Sequence, residues 1–363
     1  MGKIKKVLGN INFLSAILAI LTGIMVGFVI MLIVKPGSAF GGLFTILFGG
    51  FLDGREGFGD VLRYAAPIIL TGLSVGFAFK TGLFNIGASG QMAAGAFFAI
   101  YVGIKWTFLG DFLWVAAVLA AIIGGFLWGI VPGILKAHFN VNEVVTTIMM
   151  NWISVFGAFI AYSSADIVGG TTQNAQKVNQ AAALPNLFLD KIFDNPRLDI
   201  GILIAILAAI VIHIVLNKTT FGFELKAVGH NRDGAKYAGI NSKRNIILSM
   251  GIAGALAGLA AAVLYLNVSG ATYKIEQNLI GEGFDGIAVA LLALSHPLGA
   301  IASGTFFAYI KAGGLELKPW GFDQNLTGII TASIVYFSAL SLIFQKYAKQ
   351  IIAKFKKGGD VSE

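Results

Sequence analysis

The sequence predicts an all-α, polytopic integral membrane protein of about ten transmembrane helices. Three observations carry that prediction. Hydrophobic residues make up 56% of the 363 residues and charged ones 12%, with a mean hydropathy of +0.81. Apolar runs recur at about the 20 residues that a helix needs to cross roughly 30 Å of hydrocarbon. Short polar segments bearing Lys and Arg separate them. In lipid every backbone amide must be satisfied inside the chain, and a helix does so locally. Cysteine is absent, which removes a disulfide framework and a thiolate metal site.

The opening MGKIKK leads into an apolar run over 13–34. That run is too long for the core of a secretory signal, and no small-x-small cleavage pattern follows. Lys6 stands where a myristoylation signal needs Ser or Thr. The run is read as a retained first helix with its N-terminus in the cytosol. Further spans are expected at 61–79, 83–104, 112–136, 143–162, 199–217, 246–266, 285–295, 298–312 and 325–345. The second carries Arg63 and Pro67, and the eighth is short and stops at His296-Pro297. This threading puts both termini inside, with one transmembrane domain over 1–357 and a tail over 358–363. The longest extracellular loop is 163–198, polar at GGTTQNAQ, and the main cytoplasmic loop is 217–245.

Charge tests the threading, because Lys and Arg accumulate on cytoplasmic loops. The proposed inner segments hold 16 of the 26 basic residues and five of the 18 acidic ones, a net +11, which leaves −3 outside. The +8 balance of the whole chain is therefore an orientation signal, and no nucleic-acid partner follows from it. The span middles are bare of acid, so the ionisable relays of secondary transporters and pumps have no candidate. Arg63, Lys136, Glu143, Asp199, Asp285 and Lys311 fall near proposed ends, where snorkelling or capping accounts for them. The nearest approach to a Walker A sequence, GHNRDGAK from Gly229 to Lys236, has its lysine one place late and no preceding strand. His138, His213, His230 and His296 lie far apart in sequence with no metal-ligand spacing.

Five strings carry the next inference: FKTGLFNIGASGQ from Phe79 to Gln91, VNEVVTTIMMN from Val141 to Asn151, FELKAVGHN from Phe223 to Asn231, YAGINSKRN from Tyr237 to Asn245, and GFDGIAVALL from Gly283 to Leu292. In order and spacing they resemble the permeases of ABC importers. More narrowly, the chain resembles the larger of the two permease subunits of bacterial nucleoside importers, within the wider group that serves ribose and branched-chain amino acids. The family usually has Glu where this chain has Ser89, so an acidic role does not transfer to that position.

The resemblance implies a type II ABC importer permease fold in the bacterial plasma membrane and a nucleoside as substrate. It implies three protein partners: a second homologous permease subunit, an ATP-binding subunit that carries ATP and Mg, and an extracellular substrate-binding lipoprotein. This chain would then bind no cofactor and would not itself be an enzyme. A ribose or related simple-sugar permease is the alternative within the class, and a stand-alone channel or carrier the alternative outside it.

The segment 221–245 is basic and amphipathic between membrane-length apolar runs, so it must meet water. It is expected to contain a short helix around 233–240 with Gly234, Ala235, Ala238 and Gly239 along one side. The resemblance makes it the coupling element that seats on the ATP-binding subunit, with Glu224, Gly229, Ala238 and Gly239 as the positions carried over. A plain basic loop held by lipid headgroups also fits its composition. Gly87 and Gly90 break helical continuity beside Asn85, Ser89 and Gln91, whose uncharged groups suit a neutral hydrogen-bonding solute or bonds to neighbouring helices. Glu143, Thr147 and Asn151 fall at i, i+4 and i+8 on one helical stripe. There Asn142 reads as an N-cap, Glu143 as a first-turn acid, and Asn151 as a pathway candidate. Asp285 reads as a further cap and His296-Pro297 as a helix end.

Overall fold

The computed structural model describes residues 11–164, 167, 178–267, 278–323 and 325–340. The basic N-terminus, the GGTTQNAQ stretch, the C-terminal lysines and the tail lie outside the described residues. Fourteen α-helices are present among the described residues. They are α1 Ile11–Val34, α2 Ala39–Leu52, α3 Gly54–Lys80, α4 Ala88–Lys105, α5 Leu113–Phe139, α6 Glu143–Ser164 and α7 Leu189–Phe193. The rest are α8 Gly201–Lys218, α9 Thr220–His230, α10 Arg232–Tyr237, α11 Ser242–Tyr265, α12 Gly281–Leu292, α13 Pro297–Leu315 and α14 Asn325–Ala339. No strand occurs among the described residues.

Among the described residues six helical stretches are long and apolar enough to cross a membrane: Ile17–Val34, Gly54–Lys80, Thr107–Phe139, Glu143–Ser164, Gly201–Lys218 and Ser242–Tyr265. The expected count of ten goes beyond what these six establish. At 12 residues α12 is about 18 Å long, short of the hydrocarbon thickness. The sequence reading passes over α2, whose 14 residues span only about 21 Å. It also starts α3 at 61, whereas the helix begins at Gly54 and carries Pro67 buried in its interior. Arg63 is therefore not at a helix end; it lies within α3, 3.4 Å from Asp60 one turn earlier.

The chain divides into two compact units, Gly50–Ala312 and Met1–Gly49 with Gly313–Glu363. In the smaller, α1 and α14 pack so closely that a Cβ on Gly23 or Gly27 would fall on Ile334 or Ile330. The Trp320 indole Nε1 donates to Thr45 Oγ1 at 2.8 Å, and Lys35 Nζ donates to the Trp320 carbonyl at 3.2 Å.

In the larger unit α5 and α11 share the most extensive interface. Gly125 and Gly129 of α5 face Gly254 and Gly258 of α11, and a Cβ at Gly125, Gly254 or Gly258 would strike a carbonyl oxygen of the opposite helix. Small residues let two helices approach to backbone contact, which is how helices associate where lipid offers no hydrophobic drive. Around this seam α3 is buried along most of its length, and the Ser74 hydroxyl donates to the Ala253 carbonyl at 2.7 Å. Asn140, at φ 52°, ends α5 in the left-handed conformation that Asn tolerates. Two residues on, Asn142 Oδ1 accepts from Val144 N at 2.8 Å and caps α6 as expected. Lys136 and Glu143 close that corner with an ion pair of 2.8 Å.

Candidate functional site

The polar segment after α8 folds as two short helices with a cap at each start. Thr219 Oγ1 accepts from Gly222 N at 3.1 Å and starts α9; Asn231 Oδ1 accepts from Gly234 N at 2.9 Å and starts α10; Asn241 Oδ1 accepts from Arg244 N at 3.1 Å and starts α11. The apolar faces of these elements close one core of Val228, Ala235 and Ile246 with Ala78, Leu83, Ala137, Met250 and Ala253. A polar excursion is thereby held rigidly on the ends of α3, α5 and α11.

The four coupling positions taken from the sequence separate into inner and outer ones. Glu224 Oε2 accepts from Asn245 Nδ2 at 2.9 Å and joins α9 to the first turn of α11. Gly229 lies against the 80–82 backbone, where a Cβ would sit 2.5 Å from the Lys80 carbonyl oxygen and 2.8 Å from the Thr81 carbonyl carbon. Ala238 and Gly239 are exposed. Gly239 has φ +82° with open space around it, so its glycine serves the left-handed turn after α10 and not a close contact within the chain.

Two details of the expected helix need correction. It runs over Arg232–Tyr237, shorter than 233–240, because Gly239 ends it with its N–H on the Lys236 carbonyl at 3.0 Å. Ala235 belongs to the buried core and not to an outer small-residue face, since it is buried in one cluster with Ala137 and Ile246.

The outward chemistry lies elsewhere on the same element. Tyr237 is 94% exposed, more than any other large apolar or aromatic side chain among the described residues. Beside it a recess of about 510 Å3 is lined by Arg232, Asp233, Lys236, Gly239, Ile240, Asn241, Ser242 and Lys243. Arg232 is tied back to the Ala137 carbonyl at 3.3 Å, which fixes the rim. Sequence reasoning passed over Tyr237 because period and composition do not tell an outward aromatic from a core one.

The five residues singled out for the pathway form one buried cluster. Asn85 and Gln91 exchange amide hydrogen bonds at 3.0 and 3.3 Å, and Asn85 Oδ1 also accepts from Gly87 N at 3.0 Å. Asn151 on α6 accepts from Gly90 N at 2.8 Å and donates to the Ile86 carbonyl at 3.0 Å. Thr147 packs against Gly87 and donates to the Glu143 carbonyl at 2.7 Å. The Ser89 hydroxyl is fully buried and has no hydrogen-bond partner among the described residues; Gly283 of α12 presses on its backbone. Each amide of Asn85, Gln91 and Asn151 thus satisfies the non-helical 81–87 segment or the start of α4. In the apolar interior a buried polar group without such a partner costs stability.

Charges read from the sequence as isolated meet in space. Lys311 on α13 pairs with Glu282 at 2.7 Å and Asp285 at 3.5 Å, so Asp285 is an ion-pair partner inside α12 and not a helix cap. Asp199 is 4% exposed, and its Oδ1 accepts from Gly201 N at 2.8 Å at the start of α8. Burial pushes the Asp199 carboxyl up to about 7, against the opposing pull of the Gly201 hydrogen bond and the Arg63 charge. His213 and His296, 83 positions apart in sequence, lie with ring centroids 5.3 Å apart. No group of His, Asp or Glu residues suited to a metal ion occurs among the described residues.

The family described as branched-chain amino acid transport system / permease component matches residues 57–344. A guanosine ABC transporter permease protein of Bacillus subtilis, NupP, is 37% identical over 352 residues, 96% of this chain and 98% of its own length. A nucleoside ABC transporter permease protein of Lactococcus lactis, NupB, is 35% identical over 344 residues, 92% of each chain. A second guanosine permease of Bacillus subtilis, NupQ, is 28% identical over 259 residues, 69% of this chain and 79% of its own. No solved structure matches. The chain belongs to this permease family, and with its six apolar spans it is a multi-pass membrane protein.

Proposed function

We propose that this member of the permease family is the larger membrane subunit of an ATP-driven nucleoside importer in a bacterial plasma membrane. The observation that carries the reading is its 37% identity, over nearly the full length of both chains, to a permease whose name gives guanosine as its cargo. Two permeases of one organism, NupP and NupQ, both resemble this chain, which supports a second, homologous permease subunit as its partner. The chain makes ten crossings with both termini inside, and ATP and Mg reside on a separate ATP-binding subunit. An extracellular lipoprotein delivers the nucleoside.

Segment 217–245 is the surface that receives the ATP-binding subunit. Its rigid base makes it fit to transmit force, since Glu224, Gly229 and Ala235 fix it to the spans. Tyr237 is its anchor, and Arg232, Lys236 and Lys243 call for an acidic rim on the partner. An exposed aromatic within a polar, complementary rim is the arrangement of an interface hot spot. The test is uptake of labelled nucleosides, ribose and nucleotides by cells carrying or lacking the gene. Gene-dependent nucleoside uptake is the expected result; gene-dependent ribose uptake with no change for any nucleoside overturns it.

A further inference from the structure

At the end of α8, where α9 emerges, two residues of segment 217–245 join a chain of basic groups that extends beyond it. Lys226 Nζ on α9 donates to Asn217 Oδ1 at 3.5 Å, and Asn217 Nδ2 lies 3.1 Å from His213 Nδ1 on α8. The His213 ring lies 5.3 Å from that of His296, centroid to centroid, in the turn between α12 and α13. Lys80 Nζ, at the end of α3, donates to the Leu294 carbonyl in the same turn at 3.5 Å. His296 Nδ1 accepts from Gly299 N at 3.3 Å, which leaves its Nε2 to carry the ring proton. The consecutive helices α8 and α9, the end of α3 and the turn between α12 and α13 therefore bring two amines and two imidazoles together.

Lys226 acts on Lys80, and His213 and Lys80 act on His296. Desolvation and then those two neighbours hold the His296 imidazole below its ordinary value. The two lysines are like charges beside two imidazoles, and an anion relieves their repulsion and accepts from the N–H groups.

Its depth and its flanks identify the source of that anion. The 18 residues of α8 reach about 27 Å, just under the hydrocarbon thickness, so Asn217 at its end lies at headgroup level and His213, one turn earlier, just beneath it. On either side Ile210, Ile214, Leu294 and Leu298 are 40 to 52% exposed, an apolar surface for acyl chains beneath a cationic one. We propose that Lys80, His213, Lys226 and His296 bind the phosphate of an anionic phospholipid headgroup. Inorganic phosphate offers the same charge without the acyl chains. The site does not depend on the substrate of the transporter.

The test uses the full chain reconstituted in phosphatidylcholine nanodiscs containing phosphatidylglycerol, with the lipids retained on extraction counted by native mass spectrometry. The wild type should retain phosphatidylglycerol over phosphatidylcholine by about tenfold. Lys80→Gln with His296→Gln should abolish the preference, and Lys80→Arg with His296→Lys, which keep a cation at 80 and an N–H donor at 296, should preserve it. Equal retention of both lipids by the wild type overturns the proposal, as does a preference that survives the glutamine pair. Displacement of phosphatidylglycerol by millimolar inorganic phosphate overturns the lipid assignment. Should the glutamine pair fail to fold, a wild-type Tm that phosphatidylglycerol raises no more than phosphatidylcholine does counts against the site.

Discussion

Asn245, 1% exposed in the first turn of α11, donates its amide to the Glu224 carboxylate on α9 at 2.9 Å, a strut that ties the polar excursion to a central span. The carboxylate is therefore engaged inside the chain. Glu224→Gln keeps an acceptor and should leave thermal stability of the purified protein near wild type. Glu224→Ala strands a buried amide and should cost about 1–3 kcal/mol. Equal melting of the two variants would mean that the strut does not bear on stability.

Asn151 offers a sharper contrast. If its amide served the pathway, Asn151→Ala would slow uptake and leave assembly intact. Because the side chain satisfies both Gly90 N and the Ile86 carbonyl, the structure predicts that the yield of folded protein falls with uptake. Two buried backbone groups lose their partner, at about 1–3 kcal/mol each. Quantifying extracted, monodisperse protein alongside uptake of labelled nucleoside separates the two outcomes.

Tyr237→Ala removes an exposed ring and no internal contact of the core, so stability should stay within about 0.5 kcal/mol of wild type. Co-purification of the ATP-binding subunit should fall, and uptake with it. At Gly239, Asp adds a negative charge to a basic rim and a moderate penalty of about 1–2 kcal/mol for its φ of +82°. Gly239→Asp should insert normally and couple poorly. Wild-type uptake by both variants would remove this segment as the docking surface.

Asp199 gives the molecule a stability that depends on pH. Its folded-state value of about 7 lies above the ordinary carboxylate value of 3.8, so the charged form costs stability. That cost is absent below about pH 4, grows as pH rises towards 7, and stays constant above it. Asp199→Asn keeps the acceptor for Gly201 N and removes the charge. At about 1.4 kcal/mol per tenfold change in proton affinity, it should stabilise the protein by up to about 4 kcal/mol at pH 8 and by nothing at pH 3. Melting curves of both proteins across that range check it, and parallel curves would place the titration elsewhere.

The helical, multi-pass class and the permease family were legible in the sequence, because hydrocarbon thickness sets run length and the five strings occur in order. So were local devices: Asn142 as a cap, His296-Pro297 as a helix boundary, and the break before α4, each written within a few residues of chain. What the tertiary structure alone decided was partnership. Period places Thr147 and Asn151 on one stripe but says nothing of Gly90, 61 positions away, whose N–H occupies the Asn151 carbonyl oxygen. In the same way Glu282, Asp285 and Lys311 look like three end-of-span charges until the turn between α12 and α13 folds them together. Glu224, Gly229 and Tyr237 belong to two neighbouring strings of one polar segment, and only packing turns the first two inward and the third to water. Local sequence encodes backbone geometry and polarity, whereas whether a polar or aromatic group is satisfied inside or free for a partner depends on atoms that distant parts of the chain deliver.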